Sequence, residues 1–177
     1  NRPKPPKIVT DILVRYLGEA PELVVDLGSG TGLSTFIWCG TANRIIGVEP
    51  NDDMRGQAGI NAAQKGLTDV IFKKADAYGT GIDGNSADIV TCSQSFHWMD
   101  PERALKEIAR ILKKGGVFAA YDCDWPPVTG HMVEKAFSRL LETARARLKQ
   151  IPEGRNFTSV PKERHLKNIA ESGYFSH

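Results

Sequence analysis

The chain has 177 residues, 41% hydrophobic and 25% charged, with 23 basic and 21 acidic side chains and a formal net charge of +2. That length suits one well-packed domain and leaves little for a second. Its near-neutral, mixed charge makes no case for nucleic-acid or membrane binding, and no apolar run approaches the roughly 20 residues of a membrane span. A small, neutral or mildly acidic partner fits such a chain. Cys39, Cys92 and Cys123 stand far apart beside apolar stretches, in odd number and without CxxC spacing. They read as buried free thiols in a reducing, cytoplasmic compartment, and neither as disulfides nor as metal ligands. The stretch from Asn1 shows no secretory leader.

In chain order, Ile8, Ile12, Leu13 and Tyr16 share one face of a helix closed by Gly18. Leu23–Leu27 is short, apolar and β-branched, which predicts a strand buried on both faces. Leu33, Phe36 and Ile37 follow at helical spacing. Arg44–Val48 predicts a second strand, and Asn51 caps a helix ending near Gly66, against the propensity cost of Gly56 and Gly59. Val70–Lys73 and Ala87–Cys92 predict strands three and four. Asp100 and Pro101 then open a helix with an apolar stripe of Ala104, Leu105, Ile108, Ile111 and Leu112, ended by Gly115 and Gly116. Val117–Tyr121 predicts strand five. A Pro-rich loop over 122–130 leads to an amphipathic helix over 132–148, with Val133, Phe137, Leu140, Leu141 and Ala144 on one side. A further helix is predicted over 162–171. The alternation predicts an α/β fold, a parallel sheet with right-handed crossovers covered on both faces.

The stretch "VVDLGSGTGLST" (24–35) turns from strand to glycines at 28, 30 and 32. GxGxG departs from the dinucleotide fingerprint GxGxxG, whose last glycine would fall at Leu33. Asp26 discriminates further: a carboxylate there repels a pyrophosphate and favours a ligand carrying an ammonium group, directly or through a water, such as the methionine end of S-adenosylmethionine. Glu49, after strand two, suits a ribose 2′,3′-diol. In "KADAY" (74–78), Asp76 can accept from an adenine amino group while the Ala77 N–H meets the ring. Pro50, Met54 and Tyr78 offer apolar walls.

Together, "VVDLGSGTG", "GVEP" followed by "NDDM", "ADA" and "ADIVTCSQSFHWMDPERALKEIARILKKGGVF" resemble the class I S-adenosylmethionine-dependent methyltransferases. The likeness is to the small-molecule branch that includes the ubiquinone/menaquinone-biosynthesis and trans-aconitate enzymes, and it runs from about Ile8 to Asp122. The resemblance implies a Rossmann-like doubly wound sheet of order 3-2-1-4-5, with the cofactor across the carboxyl ends of strands 1 to 4. By motif position, Asp26, Gly28, Ser29 and Gly30 would line the methionine half, Glu49 the ribose, and Asp76 with Ala77 the adenine. Gln94 and Ser95 sit where the backbone of this family approaches the methionine end. Such folds carry two further strands, which would leave strands 6 and 7 missing from this chain.

Methyl transfer is an in-line displacement in which the protein aligns an acceptor and excludes water, releasing S-adenosylhomocysteine. His97 is the candidate base or anchor, and Trp98, Trp125 and Tyr16 are candidate acceptor contacts. SQSF stands where amino-methylating enzymes of nucleic acids have D/N-P-P-Y/F, which points to a small-molecule acceptor. Asp122 and Asp124 are read as solvated loop residues, so no metal is expected. The whole chain, 1–177, is expected to be one cofactor-binding domain with 124–168 as an acceptor lid, working as a monomer or weak dimer. A catalytically inactive S-adenosylmethionine-binding partner protein and an NAD(P)-dependent oxidoreductase are the alternatives.

Overall fold

The computed structural model of the chain describes residues 4–123, 130–148 and 159–176. Among these residues, strands β1 (Leu23–Leu27), β2 (Arg44–Val48), β3 (Val70–Lys73), β4 (Ala87–Ser93) and β5 (Leu112–Tyr121) form one sheet in the order β3-β2-β1-β4-β5. Every pairing is parallel, with Val25 opposite Ile46 on one side and Val90 on the other. This is the α/β fold and strand order implied by the resemblance. Helices α1 (Ile8–Leu17), α2 (Asp52–Gln64), α3 (Pro101–Ile111), α4 (His131–Leu148) and α5 (His165–Glu171) complete the elements used below.

All five residues of β1 are buried, and alternate ones enter different cores. Leu23, Val25 and Leu27 pack with Ala104, Leu105, Ile108 and Ile111 of α3, whereas Val24 joins Leu13 of α1, Trp38, Ile45 and Ile89. A strand covered on both faces needs apolar residues at every position, which is why the period-two alternation is absent. The α3 start forms as its sequence requires: Asp100 Oδ1 accepts the Arg103 N–H at 3.1 Å, with Pro101 in the first turn. In α2, Asn51 Oδ1 accepts the Met54 N–H at 2.9 Å, and the small Ala58 and Ala62 are its buried residues. That cap and close packing outweigh the two glycines.

Three elements differ from the sequence expectation. The glycine turn leads into a 3-10 turn, Thr35–Trp38, instead of a longer helix, because the hydroxyls of Ser34 and Thr35 are drawn to Asp26 and Trp38 is fully buried. On α1 the buried residues are Thr10 and Leu13, while Ile8, Ile12 and Tyr16 are exposed. The Thr10 hydroxyl donates to Lys7 O at 2.7 Å, so a threonine can face the core without an unmet hydrogen bond. Third, α3 ends at Ile111, before the glycines. Gly115 and Gly116 instead accommodate a bulge in β5, where the register jumps from Ala87↔Leu112 to Ile89↔Val117. Gly115 has φ +83°, and a Cβ on Gly116 would meet Asp88 O at 3.0 Å.

The chain divides into two packing units, Asn1–Tyr121 with Ser159–His177, and Asp122–Thr158. In the first, Ile169 and Phe175 pack against the core around Val25, so residues 159–168 of the expected lid belong with the sheet. In the second, Val133 and Leu140 of α4 are exposed, as is Met132. Among the described residues, no helix is long and apolar enough to cross a membrane.

Candidate functional site

The parallel sheet brings the turns after β1, β2, β3 and β4 to one edge, where open α/β sheets bind their ligands. Asp26 does not open onto that edge. Its carboxylate is fully buried: Oδ2 accepts from Ser34 Oγ at 2.8 Å and Thr35 Oγ1 at 2.7 Å, and Oδ1 from Thr91 Oγ1 at 3.0 Å. Burial pushes its pKa up, opposed by the three hydroxyls. Of the two expected modes, a direct ammonium contact does not suit so buried a carboxylate: Asp26 ties the turn to β4 from beneath, with two donors on Oδ2 and one on Oδ1.

Four backbone donors of the turn are already used. The N–H groups of Gly28 and Ser29 donate to Val48 O at 2.9 and 3.1 Å, that of Gly30 to Glu49 Oε2 at 2.9 Å, and that of Gly32 to Ser29 O at 2.9 Å. A phosphate cradle needs such groups unpaired and aimed at the ligand. The three glycines also differ in use. A Cβ on Gly28 would lie 2.6 Å from Ser95 Cβ, and one on Gly32 within 2.9 Å of Phe36 and Phe72. A Cβ on Gly30 would meet only Met54 Sδ, at 4.0 Å. Gly30 is therefore where a ligand can approach the backbone, with Met54 beside it.

Glu49 is buried, and its Oε1 accepts the Asn51 N–H at 2.9 Å. Each carboxylate oxygen thus holds one donor and keeps capacity for another. Pro50 next to it is exposed. Beyond β3, Asp76 is exposed and its Oδ1 accepts the Tyr78 N–H at 2.8 Å, and Ala77 is buried. Tyr78 is not an open wall: its hydroxyl accepts the Asp100 N–H at 2.9 Å, and Arg103 lies 4.1 Å above its ring.

After β4, Gln94 holds φ +53°, a left-handed conformation rare outside glycine, and donates its N–H to Tyr121 O at 2.9 Å. Ser95 Oγ donates to Leu27 O at 2.6 Å and fills the space above Gly28. The 3-10 turn Phe96–Trp98 follows, with Phe96 in the core and Trp98 exposed. His97 stacks on His165 of α5 at 6.3 Å between ring centroids and 17° between planes, and its carbonyl accepts the Val160 N–H at 2.8 Å. His165 also meets Phe96 edge-on at 5.0 Å.

The residues that hydrogen bonds and packing join are thus Gly28, Ser29, Gly30, Glu49 and Met54, with Gln94 one residue from Ser95. Asp76 and Ala77 sit on the neighbouring strand's turn. Tyr16 stands exposed on α1, outside these contacts, and Trp125 lies outside the described residues. Sequence reasoning missed His165, Thr80 and Glu107. His165 carries no local motif, but a glutamate on the apolar face of α3 is visible in the helical spacing as a buried charge needing a partner.

The sequence pattern of the family described as "Methyltransferase domain" matches residues 25–120. An uncharacterized methyltransferase of Mycobacterium tuberculosis is 33% identical over 116 residues, covering 66% of this chain and 44% of that protein. The uncharacterized methyltransferase YcgJ of Bacillus subtilis is 32% identical over 104 residues, covering 58% and 41%. In its crystal structure the fold superposes with a TM-score of 0.65 at 23% identity, covering 89% of this chain and 67% of that one. A geranyl diphosphate C-methyltransferase of Streptomyces coelicolor, solved with Mg2+, geranyl diphosphate and S-adenosylhomocysteine, shares the fold at 17% identity and TM-score 0.65, over 93% and 58%. The chain spans less than half the length of these two curated relatives. With its Rossmann-like sheet and its match over residues 25–120, the chain belongs to the class I methyltransferase-domain family.

Proposed function

We propose that this chain is the cofactor-binding part of a methyltransferase that moves a methyl group from S-adenosylmethionine to a small-molecule acceptor. One observation carries the choice of cofactor: the N–H groups of Gly28, Ser29, Gly30 and Gly32 are all bonded within the protein, and a carboxylate, Glu49, takes one of them. Such a turn has four of its backbone donors already used and sets a negative charge beside a pyrophosphate, which argues against the NAD(P) alternative. The features that fit S-adenosylmethionine are the open approach to Gly30, the buried Ser29 hydroxyl with no partner among the described residues, and the acceptor capacity left on Glu49.

In this reading the Ser29–Gly30 backbone and Gln94 face the methionine end, and Glu49 holds the ribose diol. Asp76 with Ala77 meets adenine, between Pro50 and Met54. Bound there, S-adenosylmethionine supplies a methyl group on a sulfonium, which needs no further activation. The protein's task is to orient an acceptor in line with it and keep water out. His97 would anchor or deprotonate the acceptor hydroxyl or amine, and the exposed Trp98 would form one wall of its pocket. Of the expected lid, the part over 124–158, which includes Trp125, is still read as the acceptor lid, and the cytoplasm as the compartment.

The test is transfer of labelled methyl from S-adenosylmethionine to a panel of small acids, phenols and amines, with single-stranded and duplex nucleic acid alongside. Label on a small molecule supports the reading, and label on nucleic acid alone contradicts it. Cofactor binding without transfer to any of them would favour the inactive partner protein.

A further inference from the structure

The loop between β3 and β4 is buttoned to one face of α3 in a regular register. Tyr78 meets Asp100 and Arg103, Thr80 meets Glu107, and Ile82 meets Arg110. Every second loop residue thus faces the next turn of the helix, whose positions 100, 103, 107 and 110 lie on one side. The central button is the strongest. Thr80 is completely buried and donates both its N–H, at 2.8 Å, and its hydroxyl, at 2.6 Å, to Glu107 Oε1. The Arg110 guanidinium forks onto both Glu107 oxygens, at 2.7 and 2.8 Å, and reaches Ile82 O at 2.7 Å. Arg110 beside it and the two Thr80 donors hold the Glu107 carboxyl down at about 2, against the opposing effect of burial.

A buried charge is a costly way to close a surface loop, since an apolar contact would do so without desolvating a carboxylate. What the charge adds is direction: a fork and two donors fix the loop's path in a way that apolar packing does not. Asp76 and Ala77 lie at the head of this loop, within four residues of Thr80, and Asp76 is itself bonded to Tyr78.

We propose that Glu107 is a positioning residue for cofactor recognition: through Thr80 and Arg110 it sets the 76–82 loop so that Asp76 and the Ala77 N–H meet the adenine edge. Glu107 touches no ligand itself. The inference rests on the reading of the site as an S-adenosylmethionine site. It adds that adenine selectivity is set from α3, a helix on the protein side of the loop.

The experiment compares S-adenosylhomocysteine with S-inosylhomocysteine, in which an oxo group replaces the adenine amino group, by calorimetric titration of wild type, Glu107→Gln and Thr80→Val. Amide exchange across 76–82 is followed without ligand. The wild type should prefer the adenine form. Both variants should lose about tenfold in affinity for it, roughly the worth of one charged hydrogen bond, and most of their preference over the inosine form. Exchange in the loop should rise in both. Thr80→Val keeps the carboxylate with its Arg110 fork, so it remains informative if Glu107→Gln does not fold. Variants that melt at lower temperature yet keep wild-type affinity and preference would overturn the proposal and leave a purely structural clasp. A wild type that binds neither ligand would overturn the functional reading itself.

Discussion

At the carboxyl ends of β1 and β2, the contacts that shape the site lie within the turn or run between neighbouring strands of the sheet: Gly28 and Ser29 bond to Val48, Gly30 to Glu49, and Asp26 to Ser34, Thr35 and Thr91 of β4. The turn after β4 is held differently. His97 is fixed by a segment that returns from far along the chain, through the Val160 N–H and the His165 ring. The first region is a closed network of backbone donors and buried carboxylates, and the second is a stack of aromatic and imidazole rings. Under the proposed function the first construction serves the cofactor and the second the acceptor, where exchanging side chains would leave the sheet intact.

The largest effect should come from breaking the network beneath the turn. Asp26→Ala orphans three buried hydroxyls, and the protein should lose about 3–5 kcal/mol of stability in urea unfolding. Asp26→Asn should lose roughly half of that, because the amide oxygen still accepts. An alanine variant of unchanged stability would put Asp26 back in a ligand-facing role.

Next come the two glycines. Gly28→Ala drives a methyl into Ser95 at φ +70° and should cost about 2–3 kcal/mol. Gly30→Ala meets open space and should cost only about 1 kcal/mol of stability from its φ of +55°. Its main loss should be in affinity for S-adenosylhomocysteine, measured by titration. Equal stability losses at both glycines would remove the distinction drawn between packing and approach.

A pH series sharpens the role of α3. Glu107 ionises in the folded protein at about 2, below its ordinary 4.5. It therefore stabilises fully above pH 4.5, and that contribution drains away as pH falls toward 2. Since Arg110 is partly solvated, the contribution should be about 1–2 kcal/mol. Urea midpoints from pH 6 to 3 should fall more steeply for the wild type than for Glu107→Gln; parallel curves would count against the clasp.

The smallest effect on cofactor binding should come from the proposed acceptor side. His165→Ala removes a ring from the stack on His97 and should cost about 1–2 kcal/mol, measured by thermal unfolding, with S-adenosylhomocysteine affinity unchanged. A parallel loss of affinity would join the two regions that the geometry separates.

The strands and their parallel arrangement were legible because β1, β2 and β4 are short, apolar and spaced by crossovers, while their order followed only from the resemblance to the class I methyltransferases. The position of Glu49 and Gly30 at the strand ends, where a hydrogen bond joins them, was legible too. Asp26 was legible at the turn, but its protein neighbours were not. Nothing in a strand's spelling says that Ser34, Thr35 and Thr91 will converge on it. The exposed face of α1 was misjudged for a related reason: a threonine that bonds its own helix can be buried in place of an isoleucine. His165 was invisible because its partners, Phe96 and His97, lie far from it in sequence and meet it only once the sheet has formed.

The most direct measurement is calorimetric titration of the purified chain with S-adenosylhomocysteine and, separately, with NAD. The expected result is saturable binding of S-adenosylhomocysteine and none of NAD, because the N–H groups of Gly28, Ser29, Gly30 and Gly32 are already bonded to Val48, Glu49 and Ser29 and the Glu49 carboxylate stands beside the turn. Tight binding of NAD, with no binding of S-adenosylhomocysteine, would contradict it.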